Sequence, residues 1–281
     1  MTVAEIQRIE IDGLTLGYRE LGAGPAVLLL HGWPTSSWLW RDVMEPIART
    51  NRVIALDLPG FGASDKPSDQ HYGFRFYDGV LDGFLEALEI DRLGLAVHDL
   101  GGPVGVHWAI HNQDRVEGLA LLNTMVYPQT SWAVKLFIVT CTLPVARSWI
   151  TSPAGIKFAM RLGVNDKPRM DADALRPYQE PFESKEARQA LAATARDLSI
   201  GGLKRIEAAL PDLKFPIRIV YGEDDRILPD VAKTMNRVSE DVGGAEITSL
   251  ADVGHFCQED RGAEIGELLA PFFAPAAQAP A

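Results

Sequence analysis

The sequence predicts an α/β fold: a mostly parallel central sheet with helices on both faces and one helical insertion. Three observations carry that prediction. Continuous apolar runs recur at AVLLLHG (26–32), RVIALDLP (52–59), LGLAVHD (93–99), VEGLALLNT (116–124) and PIRIVYGEDD (216–225). Such runs mark strands buried on both faces. Helical stretches near 38–48, 76–89 and 101–113 alternate with them, and strand–helix–strand order implies a parallel sheet covered on both sides. The rhythm then stops: from about 126 to 212 there is no buried-strand run.

Taken in order, IQRIEI (6–11) and LTLGYRE (14–20) alternate and meet at Asp12-Gly13, which reads as an antiparallel hairpin. The buried strands and their helices follow. In the insertion, WAVKLFIVTCTL, PAGIKFAMRLG, SKEARQALAATARDL and GLKRIEAAL read as helices. Pro144, Pro153, Pro168, Pro177 and Pro181 fall between these stretches or at their ends, where proline breaks a helix. A last strand, AEITSLA (245–251), precedes a helix over about 260–273. The expected organisation is a core of 1–125 plus 213–275, a helical cap over 126–212, and an Ala/Pro-rich tail, 276–281, disordered at its tip.

The chain has 281 residues, 47% hydrophobic and 23% charged, with a formal net charge of −11. That length buries a substantial core. The acidity argues against nucleic acid or membrane as a main partner, because both demand a basic face. Cys141 and Cys257 are too few for a disulfide framework and are expected as reduced thiols of a cytoplasmic protein. The start MTVAEIQRIEIDG has no basic flank and no long apolar segment, so no signal peptide is expected. No His/Cys/Asp/Glu grouping shows metal-ligand spacing, and there is no Gly-rich phosphate loop. Neither metal nor cofactor is therefore expected.

In open parallel sheets, sites lie outside the carboxyl ends of the strands. His31-Gly32-Trp33-Pro34 follows the first buried run, and Asp99 ends LGLAVHD. Glu223, Asp224 and Asp225 follow PIRIVYG, and Asp252-Val253-Gly254-His255-Phe256 follows the last strand. Asp, Asp and His thus meet on one edge in that chain order. Asp99 runs into Leu100-Gly101-Gly102, and glycines there permit the close backbone approach of a sharp strand-to-helix turn. Alone, Asp99 would read equally well as a helix cap.

The turn at Asp99 resembles the nucleophile elbow of the α/β-hydrolases, G-x-S-x-G, with nucleophile, acid and histidine in chain order. Here an aspartate stands at the nucleophile position and Val97 replaces the first glycine. HGWPTSSWLWR resembles the oxyanion-hole loop of haloalkane dehalogenases and epoxide hydrolases, and RVIALDLPGFGASDKP their following strand and loop. YGEDDRILP resembles the GxxDxxxP acid turn, which places the acid at Asp225 rather than Asp224. DVGHFCQED and RPYQEPF are similar to the histidine loop and the cap of haloalkane dehalogenases. The resemblance covers nearly the whole chain and implies the α/β-hydrolase fold with a helical cap.

It also implies chemistry. Asp99 would attack an sp³ carbon and displace a leaving group as an alkyl ester forms. His255 would deprotonate the water that hydrolyses the ester, with Asp225 orienting His255 and stabilising its cation. Backbone N–H groups of Trp33 and Leu100 would form the oxyanion hole. The strand end LLNTMV carries Asn123 and no carboxylate, which leaves Asp225 as the acid. An aspartate nucleophile points to carbon–halogen or epoxide carbon–oxygen cleavage, since a serine suits carbonyl substrates.

The leading expectation is hydrolytic dehalogenation of a small apolar haloalkane, with water as co-substrate and the chain a monomer or homodimer. The alternative is an epoxide hydrolase using the same triad. An alternative of another class is a catalytically idle small-ligand receptor. A leaving halide needs N–H donors, and well-known dehalogenases place a tryptophan directly after the nucleophile, where this chain has Leu100. Candidate halide or substrate contacts are Trp33, Trp149 and Tyr178. An epoxide oxygen needs tyrosine hydroxyls, for which Tyr127 and Tyr178 are the candidates. An arginine after the nucleophile would mark a fluoroacetate-type enzyme, which Leu100 argues against. His31 and His98 are expected to hold loops, Asp57 to tie a turn, Glu223 and Asp224 to be turn residues, and His71, His107 and His111 to be structural.

Overall fold

A computed structural model describes residues 4–275; the tail at 276–281 lies outside the described residues. The strands are β1 (Ile6–Ile11), β2 (Leu14–Leu21), β3 (Ala26–Leu30), β4 (Arg52–Leu56), β5 (Leu93–Asp99), β6 (Val116–Thr124), β7 (Ile217–Gly222) and β8 (Glu246–Leu250). The helices are α1 (Arg41–Ile47), α2 (Phe74–Ala87), α3 (Gly101–His111), α4 (Trp132–Thr142), α5 (Pro144–Ile150), α6 (Pro153–Gly163), α7 (Ala172–Gln179), α8 (Lys185–Arg196), α9 (Ile200–Ala209), α10 (Val231–Asp241) and α11 (Cys257–Phe273).

The hairpin forms because Asp12 and Gly13 both take left-handed φ, 50° and 79°. That turn matches the twist of the flanking strands. All eight strands make one sheet in the order β1-β2-β4-β3-β5-β6-β7-β8. Only β1–β2 and β2–β4 pair antiparallel, and every later pair is parallel. This is the mostly parallel α/β sheet that the apolar runs imply, and its order fits the α/β-hydrolase fold that the motif resemblance implies.

Successive strand residues face opposite layers. Val27 and Leu29 pack under α1 and α11 with Trp40, Ile47 and Leu269. Leu28 and Leu30 face the other layer, with α2, α3 and α10. Burying each such side chain contributes about 1.5–3 kcal/mol. The chain passes from β3 out to β4, then back across β3 to β5. A crevice opens at such a switch point, beyond the carboxyl ends of the strands.

Between β6 and β7 every element is helical. Side-chain caps start these helices: Ser131, Ser152, Asp171, Ser184 and Ser199 each accept a backbone N–H of the first turn, worth ~1 kcal/mol apiece. Two helices here, α5 and α7, are not evident in the hydrophobic pattern. Pro144 and Pro153 open α5 and α6, where a missing N–H costs nothing. Pro177, read from sequence as a break, instead lies inside α7. Buried Leu175 and Tyr178 on either side of it anchor that short helix.

Candidate active site

Asp99 closes β5 with φ of 48°, a left-handed conformation that costs a non-glycine residue about 1–3 kcal/mol. Three donors hold it there. Thr124 Oγ1 donates to the Asp99 carbonyl at 2.6 Å, Trp33 N–H donates to Oδ1 at 2.7 Å, and Leu100 N–H also serves the carboxylate. The approach is so close that a Cβ at Gly32 would lie 2.3 Å from Oδ1, and one at Gly102 would lie 1.7 Å from Thr124 Oγ1. Glycine is required at both positions. α3 begins two residues on, so its positive end faces the carboxylate.

His255 stands between β8 and α11, fully buried. Its Nδ1 lies 2.8 Å from Asp225 Oδ2 and its Nε2 3.3 Å from Asp99 Oδ2. The first contact is a hydrogen bond; the second is close but not aligned as one. Asp225 takes three further donors: Ile227 N–H at 2.8 Å and Leu228 N–H at 2.6 Å on Oδ1, and Asn123 Nδ2 at 2.9 Å on Oδ2. Asn123 Oδ1 accepts from Gly222 N–H at 3.0 Å, which fixes the amide's orientation. From sequence alone Asn123 marks only a strand end without a carboxylate. The structure shows it as a direct support of the acid.

Burial alone would strip His255 of its proton. The Asp225 carboxylate, with Asp99 beyond it, outweighs burial and raises the imidazole to about 10. Burial likewise pushes the Asp225 and Asp99 carboxyls up, but facing His255 holds both below their ordinary range. The ground state near neutral pH is therefore carboxylate, imidazolium, carboxylate.

The flanking residues set this frame. Burial, then the His255 charge, lowers His98 to about 3. His98 is thus neutral, and its Nε2–H donates to the His255 carbonyl at 2.9 Å. Leu58 N–H donates to His31 Nε2 at 3.1 Å, so Nδ1–H donates to the Gly32 carbonyl at 2.9 Å. Asp57 accepts Ser37 N–H at 2.5 Å and Ala63 N–H at 2.7 Å.

A cavity of about 410 Å³ opens onto Asp99 and Leu100, with a predominantly apolar wall. Trp33 lines it, but its indole N–H donates to the Leu191 carbonyl at 3.1 Å. That bond engages the group expected to meet a halide, while the Trp33 backbone N–H is on Asp99. Trp149 lines the cavity half-exposed, its ring 5.5 Å from that of Phe158. Tyr178 is not in the cavity wall. It is buried with its hydroxyl donating to Glu259, a carboxylate that Arg41 grips with two bonds of 2.6 and 2.8 Å. Tyr127 is also outside the wall and donates to Asp241 at 2.7 Å.

Asp78 of α2 meets His107 and His111 of α3, with one ligand atom from each within 4.8 Å of the others. Sequence spacing hides the group because Asp78 arrives from a different helix. His107 Nδ1 is already paired with Asp78 at 2.9 Å.

Residues 25–261 match the family described as alpha/beta hydrolase fold. The chain is 32% identical to a haloalkane dehalogenase of Sphingobium indicum, covering 94% of this chain and 93% of the relative. It is 30% identical to a haloalkane dehalogenase of Bradyrhizobium diazoefficiens, covering 96% and 94%. Among solved structures, haloalkane dehalogenase DbeA from Bradyrhizobium elkani superposes with a TM-score of 0.86 at 26% identity, covering 96% and 97%.

Proposed function

The chain belongs to the alpha/beta hydrolase fold family and, within it, to the haloalkane dehalogenases, and on that premise we propose that it cleaves the carbon–halogen bond of a small apolar haloalkane with Asp99 as nucleophile. One observation carries the reading. Asp99 lines the apolar cavity with Oδ1 anchored by Trp33 N–H and Oδ2 left toward His255 Nε2. Oδ2 attacks the carbon, the bonding pair leaves with the halide, and an alkyl ester forms. The ester carries no charge, so its formation withdraws one of the two carboxylates that keep His255 protonated. The imidazolium then gives its proton up to solvent, and the neutral ring becomes the base for water. The resulting hydroxide adds to the ester carbonyl carbon, with Oδ1 already on the Trp33 N–H and the Leu100 N–H to hand as the second donor. Collapse releases the alcohol and restores Asp99. Residues 126–212 serve as the cap over a core of 1–125 and 213–275.

The engaged hydroxyls argue against epoxide opening. An alkoxide leaving group needs an acid at the cavity, and Tyr127 and Tyr178 both donate elsewhere. Substrate contact falls to Trp149 and the ring of Trp33, which offer apolar surface. A panel of 1-bromohexane, 1-chlorohexane and styrene oxide tests the reading, with halide and diol both measured. Bromide release is expected. Diol from styrene oxide without any halide release would overturn it.

A further inference from the structure

The outer face of the helical insertion differs from the rest of the molecule in two independent ways. The first is apolar exposure. Trp132, Leu136 and Val139 along α4, and Leu143 at its C-cap, recur at helical spacing and are 72, 57, 50 and 54% exposed; Val145 on α5 reaches 86%. Contiguous exposed apolar surface on this scale marks an interaction site. The second is charge. From Val126 to Asn165 there is no Asp or Glu, yet Lys135, Arg147, Lys157 and Arg161 occur, in a chain whose net charge is −11. Lys135, on the same helix as Trp132, Leu136 and Val139, is solvent-exposed, as are Lys157 and Arg161 on α6.

Trp132, Leu136 and Phe158 also line the cavity that reaches Asp99, so the exposed face is the rim of its mouth. No single helix among the described residues is long and apolar enough to cross a membrane. α4 and α5 reach the hydropathy of a span only together, and they are bent 108° apart. A pair bent so sharply does not make a straight span. Exposed tryptophan with flanking Lys and Arg is the composition that binds at headgroup level.

We propose that the face formed by α4, α5 and α6 docks on anionic phospholipid bilayers and opens the cavity mouth onto the lipid. The charge decides between lipid and a second copy of this chain. Two-fold pairing through this face would set one acid-free, basic patch against its copy, whereas an anionic surface attracts each of its cations. Whole-chain acidity argues against a membrane partner only because it averages over this segment. An apolar substrate dissolved in the bilayer would then enter without crossing water, whatever its leaving group.

Flotation of the full chain with vesicles tests the proposal, using phosphatidylcholine alone against equal parts phosphatidylcholine and phosphatidylglycerol. The protein should float with the anionic vesicles only, and high salt should release it. Lys135→Gln and Lys157→Gln should each lower binding about fivefold. Val139→Ser/Leu143→Ser/Val145→Ser should abolish flotation while the melting temperature and turnover of a water-soluble substrate hold, since none of the three lines the cavity. Should the triple variant fail to fold, Val145→Ser makes the same test. No flotation, or equal flotation with neutral vesicles, overturns the proposal. So does sedimentation equilibrium showing a dimer that the Val145→Ser change dissociates, which would assign the face to a second copy.

Discussion

Replacing Asp225 by Asn removes a charge while keeping shape, and its consequence follows from four donors. Oδ1 of Asp225 accepts two backbone N–H groups, and Oδ2 accepts from His255 and Asn123. An amide keeps one oxygen. Holding it on Ile227 and Leu228 turns the new NH₂ toward His255 Nδ1, which can then only accept. The imidazole proton moves to Nε2, facing Asp99, and the ring can no longer take a proton from water. Asn123 cannot flip to compensate, because its oxygen is bound to Gly222 N–H. The shift of His255 from 6.5 to about 10 corresponds to about 5 kcal/mol favouring the cation, and Asp225 is its leading source. A tautomer-inverting change of this kind in serine proteases costs ~10⁴ in kcat, which is of similar size. The first displacement needs no base. Asp225→Asn should therefore release one halide per site from 1-bromohexane in a burst, then turn over ~10⁴ times more slowly. Steady-state turnover within tenfold of wild type, in protein whose mass confirms Asn, would refute the assigned role.

Further outcomes are expected. Leu100→Trp should raise chloride release relative to bromide, because it supplies an indole donor at the cavity floor where chloride, the poorer leaving group, needs it most; an unchanged chloride-to-bromide ratio would count against a donor shortage. His255 titrates higher in the folded chain than its ordinary 6.5, so its contribution to stability is full below that pH and is lost as pH rises toward about 10. Urea unfolding of wild type should weaken over that window, and His255→Gln should show a smaller slope; equal slopes would contradict the assignment. Burial raises both thiols, Cys141 to about 12, so a thiol reagent at neutral pH should label neither in the native state and both in urea. Fast native labelling would contradict their burial.

Strands such as β6 are legible to the residue, because a strand buried on both faces is mostly apolar along its length, with Glu117 the one exposed residue here. Asp99 and Asp225 are legible because each ends or follows such a run, whereas His255 follows the half-exposed β8 and is legible from its DVGHF loop. What sequence hides is set by long-range pairing. Asn123 supports Asp225 only because β6 lies beside β7. The Trp33 indole meets a carbonyl 158 residues away, and Tyr178 meets Glu259, so neither commitment leaves a local trace. α5 and α7 are two turns long, one opened by Pro144 at its first position and the other capped by Asp171, so start chemistry rather than hydrophobic period carries the signal. Net charge is legible, but its uneven distribution is what bears on the insertion.

The covalent role of Asp99 is tested most directly by trapping the ester. His255→Gln keeps the nucleophile and removes the base, so displacement should proceed and hydrolysis should stall. Intact-protein mass spectrometry after exposure to 1-bromohexane should show one added hexyl group, and peptide mapping should place it on Asp99. Consumption of bromohexane by this variant with no adduct on Asp99 would contradict nucleophilic attack by that residue.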